Sequence, residues 1–165
     1  MRQVFFLFAF LSTIASSPVL SYVFFTFDPL GSVLTTVTGI NNSGQIAGNF
    51  SDSAGFHAFI RTGTVYTTFE APGALRTVAG GINSLSQITG NFTDATGSHG
   101  YIPSLDGKSF TTFDVLTPRA FTIHAAINNK GDVVGTGFSV AGPKVFCGRP
   151  KALLQVSAAS EFHHC

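Results

Sequence analysis

The stretch GINNSGQIAGNFSDSAGFHAFI, residues 39–60, returns as GINSLSQITGNFTDATGSHGYI at residues 81–102 and again, with more substitutions, over residues 126–147. One register fits all three copies, because the isoleucine before the first asparagine recurs at intervals of 42 and 45 residues. A fixed period of about 20–50 residues is typical of solenoids, propellers and stacked arrays. The repeat therefore predicts several copies of one supersecondary unit.

A short lead-in motif precedes each copy at nearly constant distance. It reads FTFD at residues 25–28, TTFE at residues 67–70 and TTFD at residues 111–114. The motif is rich in Phe and Thr, which favour strands, and the copies that follow are punctuated by Asn, Asp and Gly turns. Each unit is therefore predicted to hold four short strands, of which the lead-in strand is the first. The predicted fold is all-β, with repeated four-stranded antiparallel units forming a partial β-propeller of about three blades.

The strand boundaries follow from the alternation of apolar residues and from the turn residues between them. The predicted strands are Val23–Asp28, Thr35–Ile40, Gln45–Phe50 and Phe56–Ile60 in the first unit; Val65–Glu70, Thr77–Ile82, Gln87–Phe92 and His99–Ile102 in the second; and Ser109–Asp114, Phe121–Ile127, Asp132–Gly137 and Lys144–Cys147 in the third. Two sets of aromatic residues are expected to fill one layer of a shared core in every unit. They are Phe27, Phe69 and Phe113, and Phe59, Tyr101 and Phe146.

Two local features of the repeat make further predictions. The second unit has Ser84-Leu85-Ser86 where the first has Asn42-Ser43-Gly44, which predicts a looser turn. The third strand of every unit contains a glycine, at positions 48, 90 and 135. A glycine inside a strand marks a bulge or a close backbone approach, and crowding where neighbouring units meet is the expected cause.

Composition and the N-terminal segment limit the class of protein and its expected location. The 165 residues are 44% hydrophobic and 10% charged with a formal net charge of +1, so no basic face for nucleic acid is expected. Residues 1–21 read as a signal peptide, with Arg2 before an apolar run that is shorter than the roughly 20 residues of a membrane span. The mature protein is therefore expected to be extracellular or periplasmic, with no membrane association after signal cleavage; the alternative is that the segment stays uncleaved as an N-terminal anchor.

The chain is therefore predicted to have three segments: the signal peptide at 1–21, a three-copy β-repeat domain at 22–147 and an irregular tail at 148–165. The repeat pattern stops at Gly148, and no lead-in motif follows. Two interpretations remain open. The chain is either a truncated or frame-shifted end of a longer array, or the tail caps the last unit. Three units are fewer than the roughly four to eight blades of closed propellers, which leaves an opening or an exposed edge unless the chain is a fragment of something longer or self-associates through its open blade edges.

The repeat resembles the secreted HAF-type extracellular repeats, named for a His-Ala-Phe tripeptide. The tripeptide is His57-Ala58-Phe59 here, with His99-Gly100-Tyr101 as its cognate, and it follows GINNSGQIAGNF in the order the family shows. The resemblance covers about residues 24–146. It implies a bacterial, secreted, β-propeller-like protein and attaches no reaction to it. The third unit departs from the family, with Lys144-Val145-Phe146 at the tripeptide.

Residues that could carry chemistry are mostly in phase with the repeat. A catalytic pair belongs to one place and should break the symmetry, so an enzyme is not expected. Asp52, His57, Asp94 and His99 are the candidate metal ligands, and the alternative is that each histidine hydrogen-bonds the turn of its own unit. Calcium is the ion that Asp, Asn and Gly turns would suit, but each turn offers one carboxylate. Cys147 and Cys165 could form one disulfide.

The function expected from the sequence is a secreted, non-catalytic binding or cell-surface structural module. Its partner would be a glycan or another protein at the cell surface, with no cofactor required. The alternative is a carbohydrate-active or lactonase-like propeller enzyme. The two classes differ in symmetry, because an enzyme should gather unphased polar residues in a single cleft.

Overall fold

The computed structural model describes residues 21–114, 121–139 and 142–148, and these residues form eleven β-strands and no helix. The all-β prediction is confirmed. The strands are β1 (Leu34–Ile40), β2 (Ile46–Ser51), β3 (Phe56–Thr62), β4 (Val65–Phe69), β5 (Arg76–Ile82), β6 (Ile88–Thr93), β7 (Ser98–Pro103), β8 (Phe110–Phe113), β9 (Phe121–Ile127), β10 (Val133–Ser139) and β11 (Gly142–Gly148). Residues 1–20 and 149–165 lie outside the described part, so the signal peptide and almost all of the predicted tail lie there as well.

Pairing between strands is antiparallel within each unit and parallel where one unit meets the next. The main path through the sheet runs β1-β2-β3-β5-β6-β7-β9-β10-β11, with β4 beside β3 and β8 beside β7. The parallel contacts are a single pair each, Phe56 with Arg76 and Ser98 with Phe121. The described strands thus form an open series that begins at β1 and ends at β11.

The grouping of strands into units differs from the prediction. The lead-in strands β4 and β8 do not open the unit that follows them. They pair with the last strand of the unit before them, so that Phe59 lies opposite Thr68 and Tyr101 opposite Thr112. The reason is the length of the connections, because two residues, 63 and 64, join β3 to β4, whereas six separate β4 from β5. We therefore define unit 1 as β1–β4, unit 2 as β5–β8 and unit 3 as β9–β11.

The predicted strand Val23–Asp28 does not form, and this prediction was wrong. Residues 21–29 are described and have no strand structure. The same regrouping explains the difference, since a lead-in segment pairs with a preceding unit and the described residues contain none before β1. The segment instead lies beside unit 1, where the Arg61 guanidinium stands over the rings of Phe27 at 4.7 Å and Phe25 at 5.6 Å.

Each pair of neighbouring units shares an apolar core. Between units 1 and 2, the buried side chains are Ala58, Ile60 and Phe69 on one side and Ala79 and Ile88 on the other. Between units 2 and 3, Phe113 packs with Val133 and Phe146, and Ile102 and Ile127 flank them. The predicted aromatic layer is confirmed for Phe69 and Phe113, whereas Phe27 is only half-buried.

Hydrogen bonds along the repeat join the same units, and three asparagines form what we call the asparagine ladder. The side-chain nitrogen of Asn41 donates to the carbonyl oxygen of Asn83 at 3.1 Å, and that of Asn83 donates to the carbonyl of Asn128 at 2.9 Å. Asn49 adds a second link between units 1 and 2, because its amide group bonds both the N–H and the carbonyl of Ala79, at 2.6 and 3.2 Å. Each unit therefore fixes the position of the next.

The turn at residues 83–87 is as tight as its counterpart in unit 1, contrary to prediction. Asn83 N–H donates to the Gln87 carbonyl at 3.0 Å, as Asn41 does to Gln45. Ser86 adopts a positive φ of 64°, and Gly44 has 74° at the equivalent position. Ser86 is thus held in a conformation that favours glycine. Its hydroxyl donates to the Gln45 side chain at 2.6 Å, which links this turn to unit 1.

Gly48 and Gly90 are required by close approach within a unit, so the predicted cause was wrong for these two positions. A Cβ at Gly48 would lie far inside 3.0 Å of the Thr36 carbonyl oxygen, and one at Gly90 would clash in the same way with Val78. Both carbonyls belong to the neighbouring strand of the same unit, beside a register shift. The crowding therefore comes from a β-bulge and not from contact between units.

Candidate functional site

The first cluster of ionisable side chains is centred on His57 in β3. His57 lies opposite Phe50 of β2, and the two rings pack with centroids 4.9 Å apart. This packing buries the imidazole and fixes its plane. Its Nε2 is 3.0 Å from Oδ1 of Asp52, in the turn between β2 and β3, and its Nδ1 contacts Oε1 of Glu70, directly after β4. The imidazole thus bridges two carboxylates that belong to different hairpins.

The second cluster repeats the first, one unit later. His99 in β7 packs against Phe92 with ring centroids 5.1 Å apart. Its Nδ1 is 2.7 Å from Oδ1 of Asp114, directly after β8, and its Nε2 is 3.3 Å from Oδ1 of Asp94. The Thr96 hydroxyl is a further partner of Nε2, at 2.9 Å. We call the two clusters the histidine bridges; each consists of a turn aspartate, a strand histidine and the acid after the lead-in strand.

Within each unit, the structure brings the two candidate metal ligands together and adds one further acidic residue to them. Asp52 meets His57 and Asp94 meets His99, so the predicted hydrogen bond from each histidine to its own turn is confirmed. Sequence reasoning missed Glu70 and Asp114 as the second partners. A signal was present, because both residues directly follow the Thr-Thr-Phe motif, but it required the knowledge that this motif pairs with the histidine strand.

The turn aspartates are held in their ionised form by local hydrogen bonds. For Asp52, the backbone N–H of Ala54 and then the His57 side chain lower the carboxyl pKa below its ordinary value of 3.8. For Asp94, the hydroxyl and the N–H of Thr96 lower the pKa to about 2. Hydrogen bonds to a carboxylate stabilise its charged form, which is the direct cause of both shifts.

The imidazole of His99 is biased toward its charged form. Partial burial acts to lower its pKa, but the hydrogen bond and charge of Asp114, together with Asp94, outweigh that effect. The pKa of His99 therefore lies above its ordinary value of 6.5. The protonated imidazole can donate from both nitrogens at once, which is what a bridge between two carboxylates requires.

The free energy of unfolding is expected to be highest between about pH 4 and about pH 6.5. The contribution of Asp94, whose folded pKa is lowered, is present above its unfolded value and is lost as the pH falls toward 2. The contribution of His99, whose folded pKa is raised, is present below its unfolded value and is lost as the pH rises through the folded pKa. Because the bridge is partly solvated, the alkaline loss should be below about 1 kcal/mol. Urea unfolding against pH measures it.

His99→Gln is the control for this prediction, because the variant keeps a polar side chain but cannot titrate. It should remove the part of the loss above pH 6.5 that belongs to His99. The titration of the His99 ring by NMR gives an independent reading. A ring pKa at or below the ordinary value would contradict the bridge as described.

The arrangement of donor atoms in the bridges bears on metal binding. The two carboxylates of each bridge lie at opposite nitrogens of the imidazole and do not converge on one point. Within the part of the chain that the structure describes, no group of three or more His, Cys, Asp and Glu side chains is placed to hold a metal ion. What the bridges supply is a cross-link between the hairpin turn and the outer strand of each unit.

The remaining candidate pair is Cys147 and Cys165. Cys147 lies in β11 and is disulfide-bonded. Cys165 lies outside the described residues, so the pairing of the two stays a prediction.

Comparisons with known proteins add no identification. No protein-family model matches the chain, and no curated protein is similar to it. Among the residues that the structure describes, no helix is long and apolar enough to cross a membrane.

Proposed function

We propose that the chain is a secreted, non-catalytic β-repeat module with propeller-like stacking of its units, and that it binds or builds extracellular structure. The observation that carries the proposal is the equivalence of the two histidine bridges. Each occupies the same place in its unit, and each engages its histidine on both nitrogens. A catalytic centre uses its ionisable groups once and leaves a nucleophile or base accessible, whereas these groups connect strands. Export is part of the proposal and rests on the pattern of residues 1–21.

A cleft between units 1 and 2 supports binding over catalysis. It has a volume of about 230 Å³, and its lining combines apolar side chains with hydroxyl and amide groups. The lining residues are Gln45, Ile60, Thr62, Thr67, Phe69, Ser86, Ile88, Pro103, Ser104 and Leu105. None of these side chains ionises at neutral pH, so the cleft offers no acid or base. Hydroxyl and amide donors beside apolar surface suit a neutral polar ligand, and a glycan is the class we propose.

Binding to an insoluble polysaccharide tests this function. The purified protein is incubated with cellulose, chitin and peptidoglycan, and we expect at least one of them to remove it from the supernatant. Thr67→Trp should fill the cleft and weaken binding by about tenfold or more. The matched control is Thr111→Trp, which changes the equivalent lead-in position of unit 2 outside the cleft lining.

Release of reducing sugar is measured in the same samples. Hydrolysis that disappears in His57→Gln or His99→Gln would contradict the non-catalytic proposal. Failure to bind all three polysaccharides would contradict a glycan as the ligand class.

A further inference from the structure

The first strands of units 2 and 3 lie against the unit before them, whereas the described residues contain no unit before unit 1. Ala79 of β5 is 0% exposed because unit 1 covers it, whereas Val37 at the equivalent position of β1 is 55% exposed. Ile82 is partly buried in the same core, whereas its equivalent Ile40 is 67% exposed. The outer side of β1 is thus an apolar surface of the kind that is buried between units. We call it the head face.

Unit 3 shows the opposite half of the same interface. Ala58 of unit 1 is 0% exposed within the core shared with unit 2, whereas Val145 at the equivalent position of β11 is 85% exposed. Asn83 is buried under the next unit, whereas Asn128, which has the same place in the asparagine ladder, is exposed. The surface formed by Asn128, Val134 and Val145 therefore matches the side of units 1 and 2 that each following unit covers. We call it the tail face.

We propose that the head face of one copy of this chain docks on the tail face of a second copy. The contact would reproduce the packing that already joins unit 1 to unit 2 and unit 2 to unit 3. Asn128 would donate to the carbonyl of Asn41 in the second copy, as Asn83 donates to Asn128 at 2.9 Å. Val145 would pack with Val37 and Ile40, as Ala58 packs with Ala79 and Ile82. The inference goes beyond the proposed function, since it follows from the packing of the units alone.

The lead-in segment of the second copy fits the same interface. In units 1 and 2, the last phenylalanine of the lead-in motif lies opposite a small strand residue, Phe69 opposite Ala58 and Phe113 opposite Gly100. The same register places Phe27 of the second copy opposite Val145, whose side chain is larger than those of Ala58 and Gly100. Residues 23–28, which have no strand partner among the described residues, would then lie beside β11 of the first copy.

The interface is heterologous, so it leads either to a ring or to a longer array. The described residues of two copies contribute six units, which falls within the roughly four to eight blades of closed propellers. A ring of two copies would bury both head faces and both tail faces. If the rotation between units does not close the ring, the same contact would extend into a filament.

Sedimentation of the purified protein over about 1–100 μM tests the proposal, because this range brackets micromolar association. The native chain should form dimers or larger species as the concentration rises. Ile40→Asp and Val145→Asp should each weaken association by about tenfold or more. Both side chains are exposed, so folding should persist, and circular dichroism checks this. The control is Val65→Asp, an exposed site on β4 away from both faces, which should associate like the native chain.

Mixing the two variants distinguishes a head-to-tail contact from other kinds of association. Ile40→Asp keeps an intact tail face and Val145→Asp keeps an intact head face, so an equimolar mixture should form a dimer that neither variant forms alone. A native chain that stays monomeric throughout the range would overturn the proposal. Variants that associate as tightly as the native chain, or a mixture that stays monomeric, would overturn it equally.

Discussion

Gly90→Ala is expected to destabilise the fold by about 3 kcal/mol or more. The added Cβ would lie far inside 3.0 Å of the Val78 carbonyl oxygen and at 3.0 Å from the Cα of Ala79. These are backbone atoms of the neighbouring strand, so no change of side-chain rotamer can relieve the clash. The strands β5 and β6 would have to separate where Ala79 enters the core between units 1 and 2. The loss therefore combines broken ladder hydrogen bonds with damage to that core.

Gly39→Ala is the matched control for this prediction. It also adds one methyl group to a strand glycine, but its nearest neighbour would be the Ile82 side chain at 3.4 Å, which is ordinary contact. We expect a change within about 0.5 kcal/mol, since no backbone atom must move. Urea unfolding of both variants measures the difference. A cost below about 1 kcal/mol for Gly90→Ala would mean that the bulge relaxes easily and that close approach does not require glycine at this position.

The strands could be predicted from the sequence because their signals are local. Alternating apolar residues and the turn residues between them lie within a few positions of each other, and ten of the eleven strands begin within one residue of a predicted strand. Which strands pair could not be predicted in the same way. The two-residue connection at Gly63 and Thr64 places β4 beside β3. This lead-in strand therefore belongs to the unit before it and not to the unit after it.

The contacts of the histidine bridges also differ in how far the sequence could predict them. Asp52 and His57 are five residues apart in one hairpin, so their contact follows from local geometry. Glu70 joins them only because β4 pairs with β3 across the two-residue connection, whereas the repeat pattern assigned β4 to the following unit. Gly48 stands inside a predicted strand, so a bulge or close approach was expected there, but the atom that crowds it, the Thr36 carbonyl, belongs to the bulged strand β1 of its own unit and not to a neighbouring unit. Sequence periodicity identifies equivalent positions, whereas strand pairing decides what they contact.

The asparagine ladder shows that a turn residue can also form a hydrogen bond to the next unit, a role that its sequence context does not reveal. Asn41, Asn83 and Asn128 are the first residues of equivalent turns, and their side-chain oxygens accept hydrogen bonds from backbone N–H groups of those turns. The side-chain nitrogens of Asn41 and Asn83 reach the next unit in addition. An aspartate could cap such a turn, but its carboxylate has no donor for the carbonyl of the next unit.

Asn83→Ala is therefore expected to cost about 3 kcal/mol in the free energy of unfolding. The side chain is buried and makes four hydrogen bonds. Its oxygen accepts from the N–H groups of Leu85 and Gln87 at 3.0 and 2.9 Å, and its nitrogen donates to the Gln87 side chain at 2.7 Å and to the Asn128 carbonyl at 2.9 Å. Alanine would leave the N–H groups of Leu85 and Gln87 and the Asn128 carbonyl without these partners in a part-buried turn, which adds to the loss of the bonds themselves.

Two further variants, Asn128→Ala and Asn83→Asp, separate the turn-shaping role of the Asn83 side chain from its hydrogen bond to unit 3. Urea unfolding of each variant measures its stability. Asn128 shapes the equivalent turn of unit 3 but is exposed. Water can therefore replace its hydrogen bonds, and Asn128→Ala should cost about 1 kcal/mol or less in the free energy of unfolding. Asn83→Asp keeps the oxygen that the turn requires and removes the donor to Asn128, so it should remain well below the native stability. If Asn83→Ala and Asn128→Ala cost the same, position 83 acts only as a turn, and the ladder contributes nothing to holding unit 2 against unit 3.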